Sequence, residues 1–316
     1  MSTKCYRVFC FSEAISPITH MSGSSGNESI VMREPVITDN GVVWIPKLTG
    51  NALRHRCVRE PGWRYLIDQY GLAKKLTQPQ LNYAFHGGNL TEGGGRENVR
   101  RIADMQRIFP LSRLIGGCLP DQILSGALDV QHGRLVCEEN RSGLIADAPD
   151  SWDLPAERLR SAEHFVSGYQ YTRGDASRTV AELLPDEDDG ELMRGENRDG
   201  KSNLMIFSGQ CVIQGAYFSH GFLLKHVSEL EFGALLWSLK LWQDAGGTIG
   251  GQAARGHGRL ATSIFTGDDD GDAAVGKYLS HVDASKDEAI AWLNEAFAPR
   301  VEKPKKDKAK KETATI

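Results

Sequence analysis

Between Gly246 and Leu260 the chain reads Gly-Gly-Thr-Ile-Gly-Gly-Gln-Ala-Ala-Arg-Gly-His-Gly-Arg-Leu, which puts six glycines, two arginines and a histidine into fifteen residues. Glycine reaches positive φ and lacks the Cβ that keeps other backbone away, while Gln252, Arg255, His257 and Arg259 offer an amide and charge to whatever approaches. The combination suits an anion held by backbone and cations, although a flexible connector would use the same glycines. A second basic group, Asn51-Ala-Leu-Arg54-His55-Arg56, follows Lys47 and opens an expected helix capped by Thr49. Free N–H groups and the helix dipole favour an anion there. From Ser16 to Arg33 runs a small polar loop whose Ser24 and Ser25 suit phosphates or sugar hydroxyls, an exposed connector being the alternative. Later, Tyr169-Gln-Tyr171-Thr-Arg173 leads to Arg178 with aromatics and cations interleaved.

His55 on a basic helix suits a phosphate contact. A nucleotide cofactor is disfavoured by order: the glycine stretch follows a helix and precedes a strand, whereas dinucleotide and P-loop fingerprints need strand, loop, helix. No cofactor is expected. The six cysteines, at 5, 10, 57, 118, 137 and 211, form no Cys-x-x-Cys pair, so neither a zinc site nor a disulfide framework is signalled and reduced thiols are expected.

At 316 residues, 40% hydrophobic and 25% charged, the composition is that of a soluble globular protein. The net charge of −4 hides segments of opposite sign, since Asn51 to Arg113 holds eleven Lys and Arg against five acids. Acids crowd Pro185 to Glu191 and Gly267 to Asp272. No apolar run is long enough to span a bilayer and the N-terminus has no signal-peptide pattern, so a cytoplasmic location and no membrane partner are expected.

These groups must be positioned by elements. A first strand is expected over Tyr6 to Ile15, ended by Pro17, then a hairpin around Asp39-Asn40-Gly41. The helix after Thr49 should stop at Pro61-Gly62. Residues 78–110 read as a surface insertion with a helix from Glu97 to Ile108. Ser125 to Cys137 is strand material that can form a hairpin at His132-Gly133, and Asp147 to Arg160 is a polar connector. Residues 171–203 form an acidic excursion, read as a projecting hairpin or loop anchored by strands. Glu229 to Asp244 is a helix apolar nearly all round and therefore buried. Arg259 to Phe265 is a final strand and Lys286 to Phe297 a helix. Residues 1–302 make one body and 303–316 a disordered basic tail.

In this order, strand, polar loop, Ile45-Pro46 before Asn51-Ala-Leu-Arg-His-Arg, mid-chain hairpin and a late helix ending in Gly250-Gly-x-x-x-Arg255-Gly-x-Gly-Arg259, the chain resembles the RAMP superfamily of CRISPR-associated proteins. Within it the likeness is to backbone subunits that polymerise along a guide RNA, most of all the type IV subunit. It departs in that Pro46-Lys-Leu-Thr-Gly-Asn-Ala lacks one residue of the common Pro-Gly-Ser-Ser-Leu-Lys-Gly-Ala form. The resemblance implies an α+β fold with a modified RRM or ferredoxin-like body, an antiparallel sheet, a helical insertion and a projecting β-hairpin thumb at 171–203. It implies a sequence-blind groove for guide RNA (crRNA), for which Ser24, Ser25, Lys47, Asn51, Arg54, His55, Arg173, Arg178, Gln252, Arg255, His257 and Arg259 offer suitable chemistry. Leu183, Leu184 and Met193 become candidate thumb wedges between bases. Implied partners are other copies of the chain in a helical filament, other effector-complex subunits, a target DNA or RNA paired to the guide, and an accessory helicase. Related subunits that cut target RNA carry an aspartate just before the Pro-Val-Ile strand; here Arg33 stands in Arg33-Glu34-Pro35-Val-Ile37, and a cation cannot ligate a metal. A non-catalytic role is therefore expected, the alternative being a RAMP endoribonuclease that processes guide precursors with His20 or His55 as general acid or base, or one that cuts target RNA with Glu28 or Glu34 at a metal.

Overall fold

A computed structural model of the chain describes residues 3–25, 28–90, 98–150, 152–153, 156–173, 205–267 and 269–298. The strands in chain order are β1 (Lys4–Ala14), β2 (Met21–Ser25), β3 (Glu28–Val31), β4 (Arg33–Thr38), β5 (Gly41–Leu48), β6 (Gly117–Leu119), β7 (Gln122–Leu124), β8 (Leu128–Val130), β9 (Gly133–Leu135), β10 (Val166–Arg173), β11 (Met205–Val212), β12 (Tyr217–Val227) and β13 (Leu260–Phe265). The α-helices are α1 (Gly50–Leu53), α2 (Glu60–Gln69), α3 (Gln78–His86), α4 (Val99–Ile108), α5 (Pro110–Ile115), α6 (Arg141–Asp147), α7 (Glu229–Asp244), α8 (Gly271–Ala284) and α9 (Lys286–Ala296).

The main sheet runs β13-β1-β12-β9-β5-β4, with β8 also on β12. Every pair in it is antiparallel. β1 and β12 are central, β13 flanks β1, and β8 and β9 flank β12. In sequence the helix beginning at Gly50 falls between β1 and β8, and α7 falls between β12 and β13. This is the β-α-β-β-α-β order of a ferredoxin-like body. Side chains alternate along β1: Tyr6, Val8, Cys10, Ser12 and Ala14 are buried, and Tyr6 stacks on Phe232 of α7 with centroids 4.2 Å apart. On the opposite face Phe9 and Phe11 meet Trp152, and a small second core gathers Val136, Leu144 and Leu159.

α7 is held at its start by a capping box, Ser228 with Glu231, and buries Phe232, Leu235, Leu239 and Trp242 as its composition requires. Full burial of such side chains stabilises by about 1.5–3 kcal/mol each. α8 packs against it. That helix was not anticipated, although Asp270 caps it by accepting from Ala273 N–H at 2.9 Å and Ala274, Tyr278 and Val282 recur every four residues on its buried side. The acids at 267–272 concealed the start of its apolar period.

Several expectations change. Pro61 does not end the first helix. A π-helical turn, Arg54–Arg59, joins α1 to α2, and the Glu60 N–H reaches back to His55 O. Bonding five residues back widens the chain just before Pro61, which has no N–H to give and which then sits in the first turn of α2. The described parts of the segment, 78–90 and 98–110, are not confined to the surface, because Tyr83, Ala84, Met105, Ile108 and Phe109 join the main core. β8 and β9 do not pair with one another: both pair with the eleven-residue β12, and Gln131 and His132 lie between them. The polar loop after Ser16 is a hairpin, β2 with β3, and β3 runs parallel to β11 in a second sheet ordered β10-β11-β3-β2. The excursion at 171–203 is anchored as expected, β10 pairing with β11 from Val166↔Val212 to Arg173↔Met205, while 174–204 lie outside the described residues, as do the tail positions 299–316. All six cysteines are free; four are buried, and burial pushes the Cys137 thiol up to about 12.

Candidate functional site

The segment from Pro17 to His20 ties the chemically suggestive stretches together. Pro17 O accepts from Gly258 N–H at 2.7 Å, and Ile18 exchanges backbone bonds of 2.8 and 2.9 Å with Val212 of β11. Thr19 bridges to Gly251 through its carbonyl at 2.8 Å, and its hydroxyl lies 2.7 Å from Nδ1 of His257. His20 Nε2 accepts from Thr49 N–H at 3.1 Å. Ile18 and Thr19 are fully buried. The glycine loop, the β10–β11 sheet and the helix start therefore meet on one strip of backbone, which has no periodic pattern in sequence because it spans only a few residues.

The glycines are spent on closing the loop. Ile249 N–H bonds Gly258 O at 2.7 Å, and Leu260 N–H bonds Gly247 O at 3.0 Å. Gly250, at φ 75°, brings its backbone so near Thr19 that a Cβ would lie 2.4 Å from the Thr19 oxygen. Gly258, at φ 86°, stands likewise 2.3 Å from Ile249 O. The loop is thus a closed turn, tied by backbone bonds to itself and to residues 17–20. The backbone that it meets closely is its own and that of residues 17–20.

What the loop presents outward is its side chains. Gln252, itself at φ 63°, accepts through Oε1 from the Arg255 guanidinium, which lies over the Tyr171 ring at 3.8 Å. His257 meets Tyr169 edge-on at 5.3 Å. Burial, then the nearby Arg255, holds the His257 imidazole below its ordinary range, so charge in this corner comes from Arg255 and the exposed Arg259. On the strand pair, Tyr171 stacks on Phe207 at 5.1 Å and Tyr169 lies parallel to Tyr171 at 6.3 Å. None of the three rings was singled out for a site in the sequence, although Tyr169 and Tyr171 stand at the spacing that puts them on one strand face.

At the helix start the N–H groups of Thr49, Gly50 and Ala52 are occupied. Thr49 N–H goes to His20, Gly50 N–H to Nδ1 of His132 at 2.8 Å, and Ala52 N–H to the Thr49 hydroxyl at 3.3 Å. Two imidazoles act as acceptors there, so each must keep a bare ring nitrogen. Burial, then Lys47, lowers the His20 pKa, in keeping with that role. Arg54 is half-buried, with Nε enclosed and unpartnered. Asn51 is exposed and His55 half-buried, its pKa lowered chiefly by burial.

The local basic excess does not form one surface. Arg56 and Arg64 pair with Glu60, Arg101 with Asp121, Arg107 with Glu288, and Arg113 lies 3.9 Å from Glu231. Arg59 is buried against the carbonyls of Tyr83 and Gly116 at 3.4 Å. Lys47 and Glu34 satisfy each other at 3.3 Å, and Glu28 is exposed at the start of β3. By contrast Arg54, Arg255 and Arg259 have no ion pair among the described residues. No cluster of three His, Cys, Asp or Glu fit to hold a metal occurs among them either. Ser24 and Ser25 lie on β2 opposite Ser29 and Glu28, and Arg173 ends β10; their side chains, with Arg178, Leu183, Leu184 and Met193, lie outside the described residues. No helix among the described residues is long and apolar enough to cross a membrane.

No known family's sequence profile and no curated protein matches the chain. Among solved structures, a chain of a Type IV-B CRISPR complex superposes with a TM-score of 0.51 at 16% identity, covering 84% of this chain and 92% of that one. An identity this low speaks for architecture alone, and the conclusion is at that level: this chain has the antiparallel, ferredoxin-like α+β fold of a chain of a Type IV-B CRISPR complex.

Proposed function

We propose that this chain is a non-catalytic guide-RNA-binding subunit of a type IV CRISPR effector complex, which assembles with copies of itself into a helical filament and presents the guide for pairing with a target DNA or RNA. The observation that carries the reading is the contrast among cations: most arginines of the basic region are paired or buried, whereas Arg255, Arg259 and Arg54 are uncompensated around the strip from Pro17 to His20. Uncompensated arginines on rigid backbone suit phosphates of any sequence. The non-catalytic part is supported by His20, whose lone pair caps a helix, and by Glu34, which is paired to Lys47. Self-association is supported by edge strand β4: with β5 it presents Pro35, Ile37, Val42 and Trp44 on one exposed face, Ile37 being 86% exposed and Trp44 58%. Other complex subunits and an accessory helicase belong to the same reading, as does a cytoplasmic location.

The test is protection of a long single-stranded RNA at several salt concentrations. Binding should be tight, indifferent to sequence and weakened steadily by salt as counterions are released. Arg255→Glu should weaken all RNAs alike by about tenfold or more. Absence of binding at low salt overturns the reading, and a chelator-resistant cut in a repeat-containing RNA that His20→Ala abolishes would establish the endoribonuclease instead.

A further inference from the structure

We infer that Tyr169 and Tyr171 of β10, with Phe207 of β11, form a strip on which bases of a single-stranded nucleic acid stack, with Arg255 set on its face as a combined stacking and phosphate group. The inference rests on the RNA-binding reading and adds a stacking site to it. Strand alternation puts positions 169 and 171 on one face of β10, and register places Gly209 opposite Tyr169 and Phe207 opposite Tyr171. The glycine leaves room for a ring: a Cβ at Gly209 would come 2.6 Å from the Tyr169 hydroxyl. The rings share one orientation, Tyr169 and Tyr171 within 4° and Tyr171 and Phe207 within 12°. All three are only half-buried, so part of each ring faces solvent.

Here a guanidinium lies 3.8 Å over Tyr171, held from behind by Gln252. A planar cation in that place offers its outer face to a base and its N–H edge to a phosphate. Aromatic faces accept every base, so the strip suits a ligand whose sequence varies.

The experiment uses the full chain and single-stranded RNAs carrying 2-aminopurine at each position in turn, with fluorescence quenching read beside affinity. Bound RNA should be quenched beyond its free level at recurring positions. Tyr171→Leu and, separately, Tyr169→Leu should relieve that quenching and weaken binding by about tenfold each. Tyr171→Trp should restore both, which a merely structural ring would not do. RNA that binds the wild type without added quenching, or quenching unchanged in both leucine variants while they melt cooperatively, overturns the strip and leaves the RNA-binding reading standing. A wild-type chain that binds no RNA overturns both. If Tyr171→Leu does not fold, Tyr169→Leu and Phe207→Leu carry the same measurement.

Discussion

His220 is fully buried, its Nε2 lies 2.9 Å from the Ser12 hydroxyl, and its Nδ1 has no partner. Burial alone lowers its pKa from 6.5 to about 4. Because the folded value is depressed, the unfolded chain binds the proton first on acidification; stability is fully present above pH 6.5 and falls as pH drops toward 4. At about 1.4 kcal/mol per unit the loss approaches roughly 3 kcal/mol, and denaturant unfolding at pH 7 and pH 4.5 should reveal it. His220→Phe should flatten that part of the profile; an unchanged slope would show that other groups dominate. His20 has the same sign. Its replacement by alanine removes the acceptor for Thr49 N–H and should lower stability by about 1–3 kcal/mol, measured in the same way. Both histidines are spent on internal bonds, which is why a histidine near a basic motif is poor evidence for acid–base catalysis.

The glycine loop behaves as one element. Its turns are closed by backbone bonds to itself and to residues 17–20, so a single added methyl acts on the whole of it. Gly258→Ala combines a positive φ with a Cβ 2.3 Å from a carbonyl oxygen, and should destabilise by more than about 1 kcal/mol. On the proposed reading it should also release Arg255 from Tyr171 and weaken RNA binding. Gly256→Ala is the control: φ is also positive there, at 82°, but nothing lies within 4 Å of the added carbon. Its effect should be smaller, and equal losses in thermal unfolding would refute the close-contact explanation. The π-helical turn before Pro61 makes the same point for the first helix: a proline that should stop a helix is accommodated when the preceding turn bonds five residues back.

At the scale of the whole molecule, the exposed apolar face of β4 and β5 bears on assembly. Ile37→Lys combined with Trp44→Ser replaces two exposed side chains and should leave the thermal melt nearly unchanged, since neither belongs to the core. The same variant should lower the mass of complexes formed on a long RNA, read by sedimentation, while affinity for a short RNA persists. Unaltered complexes would place self-association elsewhere.

Local chemistry was legible where it repeats. The Asn40-Gly41 hairpin, the all-apolar helix from Glu229 and the strands at both ends of the excursion could be read because turn residues and hydrophobic periods of two or 3.6 act over neighbouring positions. The α+β class came only with the family resemblance that those elements carry. Pairing across long distances left no such mark. That Ile18 joins Val212, that His20 and His132 cap a helix, that Arg59 is interior while Arg255 lies on Tyr171, and that β8 and β9 both line β12 depend on which distant backbone comes to lie alongside. A charge can be counted in a sequence, but only the fold decides whether an acid, a carbonyl or open solvent faces it, and here that decision leaves Arg54, Arg255 and Arg259 unpaired among the described residues.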